Sequence, residues 1–301
     1  MKPKITILIA TRNRPHQIKQ CLKSILQNSF RDYQILIADQ SDDEKTIEAI
    51  NSFHSKKINM IRMQKGKSKG LNLLIKKAKT EILAFTDDDC IVDKDWLQTI
   101  SQTYKNHPKL AGIFGNTYGY KPEDHLQNFC PSLFKVEKFQ IHTFKNLNYY
   151  HVGLGNNMSL KKSVIEKIGH FQEWLGVGSI GKSGEESEII FRILKNNFIL
   201  ATNPKMIVYH NRWLNYKQYR IQNFFSTHGF IAFLSYYLFT PNRNHAWFFI
   251  KFRIHEKVIP AFRIWVQSVK TCFKESIFLF LECFYIVKGI AIGLIMFIRK
   301  H

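Results

Sequence analysis

The chain reads as an α/β protein with a largely parallel, doubly wound central sheet and helices on both faces. Three observations carry that reading. Short apolar, β-branched runs alternate with stretches of helical periodicity, the pattern of repeated strand–helix units. One such run, Ile82-Leu83-Ala84-Phe85, has the length of a strand buried on both faces, and it leads through Thr86 into Asp87-Asp88-Asp89. The composition, 45% hydrophobic and 22% charged over 301 residues, is that of a globular chain long enough to bury a sizeable core.

Taken in order, residues 4–10 (KITILIA) form the first strand, and Thr11-Arg12-Asn13-Arg14-Pro15 is a polar turn. Pro15 suits the first turn of a helix, where the N–H it lacks would be unpaired anyway. That helix runs to about Asn28, with Ile18, Leu22, Ile25 and Leu26 on one face. Residues 33–38 (YQILIA) are strand two, ending at Asp39; a helix over 43–53 and a third strand over 58–63 (INMIRM) follow. A basic glycine loop, 65–70, opens a helix whose apolar face is Leu71, Leu74, Ile75 and Ala78. Beyond the carboxylates, Asp93 is placed to N-cap a helix over 94–106, Pro108 stops it, and 110–118 is another strand. Residues 119–150 lose periodicity and read as a loop or short hairpin. Order returns at 154–160, followed by a helix over 162–168, a glycine-rich loop over 176–184 and a helix over 185–197 bearing Ile189, Ile190, Ile193 and Leu194. A last short strand, 206–209 (MIVY), ends at His210.

The net charge of +21 implies an anionic partner. Acidic residues cluster at 39–48, 87–95 and 185–188, and beyond Glu188 only Glu256, Glu275 and Glu282 remain, so the last third is basic and aromatic. No helix-turn-helix, zinc-finger or RNA-recognition pattern accompanies the charge, and the acidic clusters would repel phosphate, so nucleic acid is not the expected partner. The five cysteines, Cys21, Cys90, Cys130, Cys272 and Cys283, are odd in number and show no C-x-x-C spacing, which fits a reducing compartment and argues against a disulfide framework or a zinc site. The apolar run at the N-terminus is too brief for a signal peptide. Residues 224–239 carry no formal charge, and 246–270 mix Trp247, Phe248, Phe249, Phe252, Phe262 and Trp265 with lysine and arginine, which suits a helix lying in a membrane interface. Residues 277–298 are long enough to span a bilayer, but Glu282 and Lys288 interrupt them. An interfacial or re-entrant helical region is the leading expectation; a single span and helices packed on the protein's own surface are the alternatives.

Three adjacent carboxylates raise one another's pKa values unless a cation or donor neutralises them. At the carboxyl end of a buried strand, where ligands of open α/β sheets sit, they form either a metal site or a solvated acidic turn capping the next helix. One other motif competes: Gly176 to Ser183 satisfies G-x-x-x-x-G-K-[ST], the phosphate loop of nucleotide hydrolases. The preceding residues, His170-Phe-Gln-Glu-Trp-Leu175, do not read as the buried strand that loop must follow, which argues against a phosphate loop here.

In order along the chain stand I-T-I-L-I-A-T-R-N-R, I-A-D-Q-S-D-D, G-L-N-L-L-I-K-K-A-K-T-E-I-L-A-F-T-D-D-D-C, G-N-N-M-S-L, G-E-E-S-E-I-I-F-R-I-L and V-Y-H. With these motifs the chain resembles an inverting family 2 glycosyltransferase of GT-A fold over about residues 3–213. The resemblance implies a nucleotide-sugar-binding and catalytic domain at 1–213, and the composition of the remainder marks 214–301 as a helical, membrane-associated region. The resemblance implies transfer of a sugar from a nucleotide-diphosphate-sugar to an acceptor hydroxyl with inversion, and the basic, aromatic tail points to a lipid-linked or polysaccharide acceptor, in cell-surface polysaccharide or glycolipid synthesis. Asp87 and Asp89 match the family's D-x-D pair, with Asp89 on the metal, Asp87 nearer the ribose or sugar, and Asp88 at a variable position. Hard oxygen ligands suit Mg²⁺ or Mn²⁺, which would neutralise the departing diphosphate. Thr11, Arg12 and Asn13 fall where the nucleotide lies, and Asp39 matches a base-contacting carboxylate, though a plain helix cap is also open. Lys65, Lys67 and Lys69 either meet the diphosphate or are solvated. Asn72 matches a family asparagine, and Gly155, Asn156 and Asn157 match a segment lining the sugar and acceptor. Trp174 and Trp213 are candidate sugar-stacking surfaces or ordinary packed aromatics. Glu186 falls where the family usually has the Asp of Glu-Asp and is the expected base, one methylene longer, with Glu185 in reserve; acidic residues also favour a helix N-terminus without catalysis. His210 matches a histidine that completes the metal shell in relatives, and a structural histidine is as open a reading. The expected partners are a nucleotide sugar, a saccharide or lipid-linked acceptor and an anionic membrane, at its cytoplasmic face, peripheral or held by one C-terminal span. The rival readings are a catalytically silent donor-binding or scaffold protein of the same fold, and a nucleic-acid binder.

Overall fold

The structure is a computed structural model describing residues 3–146, 152–238, 240–241, 243–244, 246–247 and 273–300. Its described residues divide into two compact units, one of Met1–Phe171 with Ile189–Asn215, the other of Gln172–Glu188 with Tyr216–His301.

The first unit is built on one nine-stranded sheet. Its strands are β1 (Ile5–Thr11), β2 (Tyr33–Asp39), β3 (Ile58–Arg62), β4 (Ile82–Phe85), β5 (Cys90–Val92), β6 (Leu110–Gly119), β7 (Gln140–His142), β8 (Met158–Lys161) and β9 (Ile199–His210). The order is β3-β2-β1-β4-β8-β6-β9-β5, with β7 pairing on β9. β3, β2, β1 and β4 run parallel, β8 is antiparallel to both β4 and β6, and β6 and β9 are parallel. The mostly parallel α/β sheet expected from the alternation is therefore what forms. Its strands bury both faces: Ile5, Ile7, Leu8 and Ile9 of β1 are all inaccessible to solvent.

The helices of this unit are α1 (Pro15–Leu26), α2 (Lys45–Asn51), α3 (Lys67–Lys77), α4 (Trp96–Asn106) and α5 (Lys162–Ile168); α6 (Glu185–Lys195) is divided between the two units. Pro15 opens α1 as expected, and Ile18, Cys21, Leu22 and Ile25 enter the core, each burial being worth roughly 1.5–3 kcal/mol for an aliphatic side chain.

Several boundaries differ from the sequence reading, and each has a physical reason. The helix expected from Lys94 starts at Trp96, because Asp93 Oδ1 accepts the Asp95 N–H and folds the turn ahead of it. Cys90–Val92, too short for a periodic signal, forms a strand by pairing antiparallel with Val208–His210. β9 is much longer than the apolar run at 206–209, because a bulge lets it follow β6 from Leu110 to Gly119. In the stretch 119–146 the described residues hold β7 and isolated bridges from Phe134 to Thr117 and from Phe129 to Leu214, all long-range pairings that periodicity does not report.

In the second unit, α7 (Tyr216–Tyr237) packs along α8 (Phe273–Lys300). Gly289 lies against the His228 carbonyl and Gly293 against the Ala232 carbonyl, so the two backbones approach closely. Among the described residues one segment, Leu281–Lys300, is long and apolar enough to cross a membrane by length and composition, with mean hydropathy 2.0. Most of the aromatic, basic stretch 246–270 lies outside the described residues.

Candidate functional site

The parallel strands β1, β2 and β4 all end at one edge of the sheet, and their last residues lead directly into the polar segments singled out from the sequence. In the turn after β1, Asn13 takes a positive φ of 55° and its amide brackets Asp42, with Nδ2 donating to Oδ2 at 2.7 Å and Oδ1 accepting the Asp42 N–H at 2.9 Å. Arg12 donates to the same carboxylate at 3.0 Å, and the bonds from Asn13 and Arg12 hold Asp42 below the usual carboxylate range. At the end of β2, Asp39 is fully buried: Oδ1 accepts from the Ser41 N–H and hydroxyl, and Oδ2 has no partner. A cleft of about 560 Å³ opens beside it, lined by Gln40, Ser41, Asp42, Arg62, Met63, Gln64 and Lys65.

Gln40 carries the cleft's far wall. Its amide exchanges two hydrogen bonds with the backbone of Gly66, which caps α3 with a φ of 134°. A Cβ on Gly70 would sit 2.6 Å from Gln40 Nε2 and 3.1 Å from Ala38 Cβ, so glycine there leaves the Gln40 amide its place on Gly66.

The three carboxylates after β4 part company. Asp87 is the most open and pairs with Lys67 Nζ at 2.8 Å. Asp88, at the position the resemblance marks as variable, is buried: Thr11 Oγ1 donates to Oδ2 and Arg14 Nη1 to Oδ1, both at 2.7 Å. Arg14 Nη1 also donates to Asp89 Oδ2 at 2.7 Å. Asp89 Oδ1 lies 3.2 Å from His210 Nε2 and has no hydrogen bond of its own. On the other side of the imidazole, Cys130 Sγ is 3.4 Å from Nδ1.

This crowding splits the acidities. Burial pushes the Asp88 carboxyl up to about 6 against the opposing pull of Arg14. Burial acts on Asp89 in the same direction, but His210, Arg14 and Arg212 together outweigh it and hold the group well below the usual range. Burial would depress His210, yet Asp89 and Cys130 push it up to about 9. Arg14, partly buried among carboxylates, is raised further above its already high value.

These residues fit a divalent cation. One oxygen of Asp89, Cys90 Sγ and a ring nitrogen of His210 lie within 4.8 Å of one another, and the buried Asp89 Oδ1, which faces only His210, is a hard donor of the kind Mg²⁺ and Mn²⁺ use.

Other expected residues fall into two groups. Asn72 uses its amide on the backbone of Phe171, with bonds of 2.9 and 3.0 Å, and Asn157 ties together Trp96 Nε1 and the carbonyls of Asn116 and Met206. Both are seen holding the fold. Asn156, in the same helical turn as Gly155, accepts from Thr117 Oγ1, while its buried Nδ2 has no partner. Trp213 donates to the Tyr120 carbonyl and stacks on His125. In the second unit, Trp174 lies against Tyr236, Glu185 is buried and Glu186 is half-buried. Gly176–Gly184 meets no strand ahead of α6, in line with a glycine loop. Sequence reading passed over Arg14, Asp42 and Cys130. Arg14 lies in the turn leaving β1, and only the pairing of β1 with β4 brings it to the carboxylates, so the sequence carried no signal for it.

A mostly parallel sheet with a carboxylate cluster at its carboxyl edge is the arrangement in which open α/β folds hold a ligand. The chain belongs to glycosyl transferase family 2, whose profile matches residues 6–169, more than half its length. Over 115 residues it is 29% identical to a poly-beta-1,6-N-acetyl-D-glucosamine synthase of Staphylococcus epidermidis, covering 37% of this chain and 28% of that protein. The protein of the same name from Staphylococcus aureus strain COL is 28% identical over 115 residues. The chain thus matches well under two thirds of the length of these curated relatives. Among solved structures, the mannosyltransferase PcManGT from Pyrobaculum calidifontis, in complex with GDP-Man and Mn²⁺, has a TM-score of 0.61 at 13% identity, covering 98% of this chain and 88% of that one. S. aureus TarS 1–349 in complex with UDP-GlcNAc has a TM-score of 0.59 at 14% identity, covering 100% and 93%. Identities this low speak for the fold.

Proposed function

We propose that this chain is a metal-dependent inverting hexosyltransferase, moving a sugar from a nucleotide-diphosphate-sugar to an acceptor hydroxyl. The observation that carries the reading is the buried Asp89 Oδ1, which faces His210 alone, at the carboxyl edge of a family 2 fold. Asp89, His210 and Asp87 would hold Mg²⁺ or Mn²⁺, which supplies Lewis-acid neutralisation of the leaving diphosphate. Asp39 and the cleft at Gln40–Lys65 receive the base, with the free Asp39 Oδ2 as acceptor for a base N–H. Thr11, Arg12 and Asn13 shape the nucleotide side through Asp88 and Asp42. Lys67 lies within reach of the phosphates, and Asn156 offers its unpaired Nδ2 to the sugar or acceptor. Glu186, with Glu185 in reserve, takes the proton of the acceptor hydroxyl as its oxygen bonds to the anomeric carbon and the bond from that carbon to the diphosphate breaks.

The names of the relatives, poly-beta-1,6-N-acetyl-D-glucosamine synthases, support a saccharide acceptor in polysaccharide synthesis, and the basic, aromatic tail extends the proposal to a lipid-linked acceptor or glycolipid synthesis at the cell surface. The net charge of +21 and the apolar helix Leu281–Lys300 support residues 214–301 as a membrane-associated region at an anionic, cytoplasmic face. A donor screen tests the reading. Purified protein with Mn²⁺ or Mg²⁺ is titrated with UDP-, GDP- and dTDP-sugars, scoring binding and slow donor hydrolysis. Metal-dependent binding of at least one donor is expected; binding of none refutes the enzyme.

A further inference from the structure

Arg14 has no part in the reading above, yet it sits at its centre. A single nitrogen, Nη1, lies 2.7 Å from both Asp88 Oδ1 and Asp89 Oδ2. The two carboxylates are 5% and 4% exposed and held from several sides, whereas the arginine side chain is 33% exposed. Its backbone is also fixed, since its N–H donates to Thr46 Oγ1 at 3.2 Å in the turn before α1. The guanidinium can therefore swing outward while its Cα and the carboxylates stay where they are.

Charge balance says when it would. Arg14 and Lys67 already offset two of the three carboxylate charges, and His210 stands against Asp89 as a third basic group. A divalent cation added to Asp89 would overshoot neutrality and meet a guanidinium on the same carboxylate. A diphosphate brings the negative charge that restores the balance, and a planar guanidinium fork suits phosphate oxygens as well as it suits carboxylates.

We propose that Arg14 is a resident counter-cation that a divalent ion must displace from Asp89, so that metal alone binds weakly and metal and donor diphosphate bind as a pair. The proposal rests on the metal-dependent reading of the site given above. On metal and donor binding, Arg14 leaves Asp89 and turns to the diphosphate. It then contributes positive charge where the leaving diphosphate develops negative charge. The opposing view, that Arg14 only pins the turn after β1 to β4, predicts that removing it loosens the site and weakens the metal.

The test is Mn²⁺ binding followed by electron paramagnetic resonance on the full chain, alone and with saturating UDP or GDP, corrected for Mn²⁺ held by free nucleotide. Wild type is expected to bind Mn²⁺ about tenfold more tightly when a nucleoside diphosphate is present. Arg14→Gln is expected to bind Mn²⁺ alone about tenfold more tightly than wild type and to lose most of the nucleotide enhancement. Arg14→Lys keeps a cation, which protects folding, but holds Asp89 only as a point charge and offers the diphosphate no planar fork, so it gains part of that affinity. Equal or weaker Mn²⁺ binding by both variants, with wild type still binding Mn²⁺ in the presence of nucleotide, overturns this proposal and leaves the metal-dependent reading standing. Absence of Mn²⁺ binding by wild type with either nucleotide overturns both.

Discussion

Asp88 separates what the motif implies from what the fold requires. As the middle residue of D-x-D it should tolerate change, yet its side chain is 5% exposed and accepts hydrogen bonds of 2.7 Å from Thr11 and Arg14. Asp88→Ala leaves the Thr11 hydroxyl buried without its acceptor, a cost of about 1–3 kcal/mol. Arg14 loses one of two carboxylates, but it keeps Asp89 and is one-third exposed, so that loss is about 1 kcal/mol. Removing a negative neighbour of Asp89 returns part of this, leaving a net destabilisation of about 2 kcal/mol. For a domain of this size that is a drop of roughly 4–8 °C in Tm. Asp88→Asn keeps an acceptor for Arg14 and can donate to Thr11, so it should stay within about 1 kcal/mol of wild type. It should also flatten the pH dependence. The folded Asp88 binds its proton up to about 6, above its ordinary 3.8, so its ionisation costs wild-type stability as pH rises between those values. Circular dichroism melts in EDTA at pH 5 and 7.5 measure both effects. An Asp88→Ala protein melting within a degree of wild type would refute the argument.

Asn157→Ala should be costlier, about 3 kcal/mol by urea denaturation, because it orphans the buried Trp96 Nε1 and two carbonyls in β6 and β9; an unchanged midpoint would contradict the clamp. His210, pushed up to about 9, carries a proton at pH 7.5 that a ligating imidazole must surrender. Mn²⁺ binding with nucleotide at pH 7.5 should therefore release close to one proton and none above about pH 10, read by calorimetry in buffers of different ionisation enthalpy; zero release at pH 7.5 would remove His210 from the ligand set. Asp89→Ala should lower metal-dependent transfer by roughly a hundredfold or more while UDP or GDP binding without metal changes little, and equal activity would move the metal elsewhere. Deleting residues 214–301 should shift the protein from the membrane to the soluble fraction, and unchanged partitioning would rule out that region as the attachment.

The order of strands and helices, the burial of β1, β2 and β4 and the placing of the carboxylates at a strand's end were all legible in the sequence. Each is a local property: periodicity, a β-branched run, a proline at a first turn, or a motif read within a few residues. The pairings were not. β9 is a long strand because β6 lies beside it, and Cys90–Val92 is a strand because His210 is its neighbour. The same limit decided the site. Asp89, Asp39 and His210 could be named from motifs, but not which carboxylate oxygen stays unbonded, nor that Asn72 and Asn157 spend their amides on backbone. Arg14 is 74 residues from Asp88 and meets it only because β1 and β4 are adjacent in the sheet. Sequence alone thus determined which chemical groups are present and on which kind of element. Tertiary structure decided which of them touch, because side-chain partnership follows the packing of strands far apart in the chain, and local pattern carries no record of it.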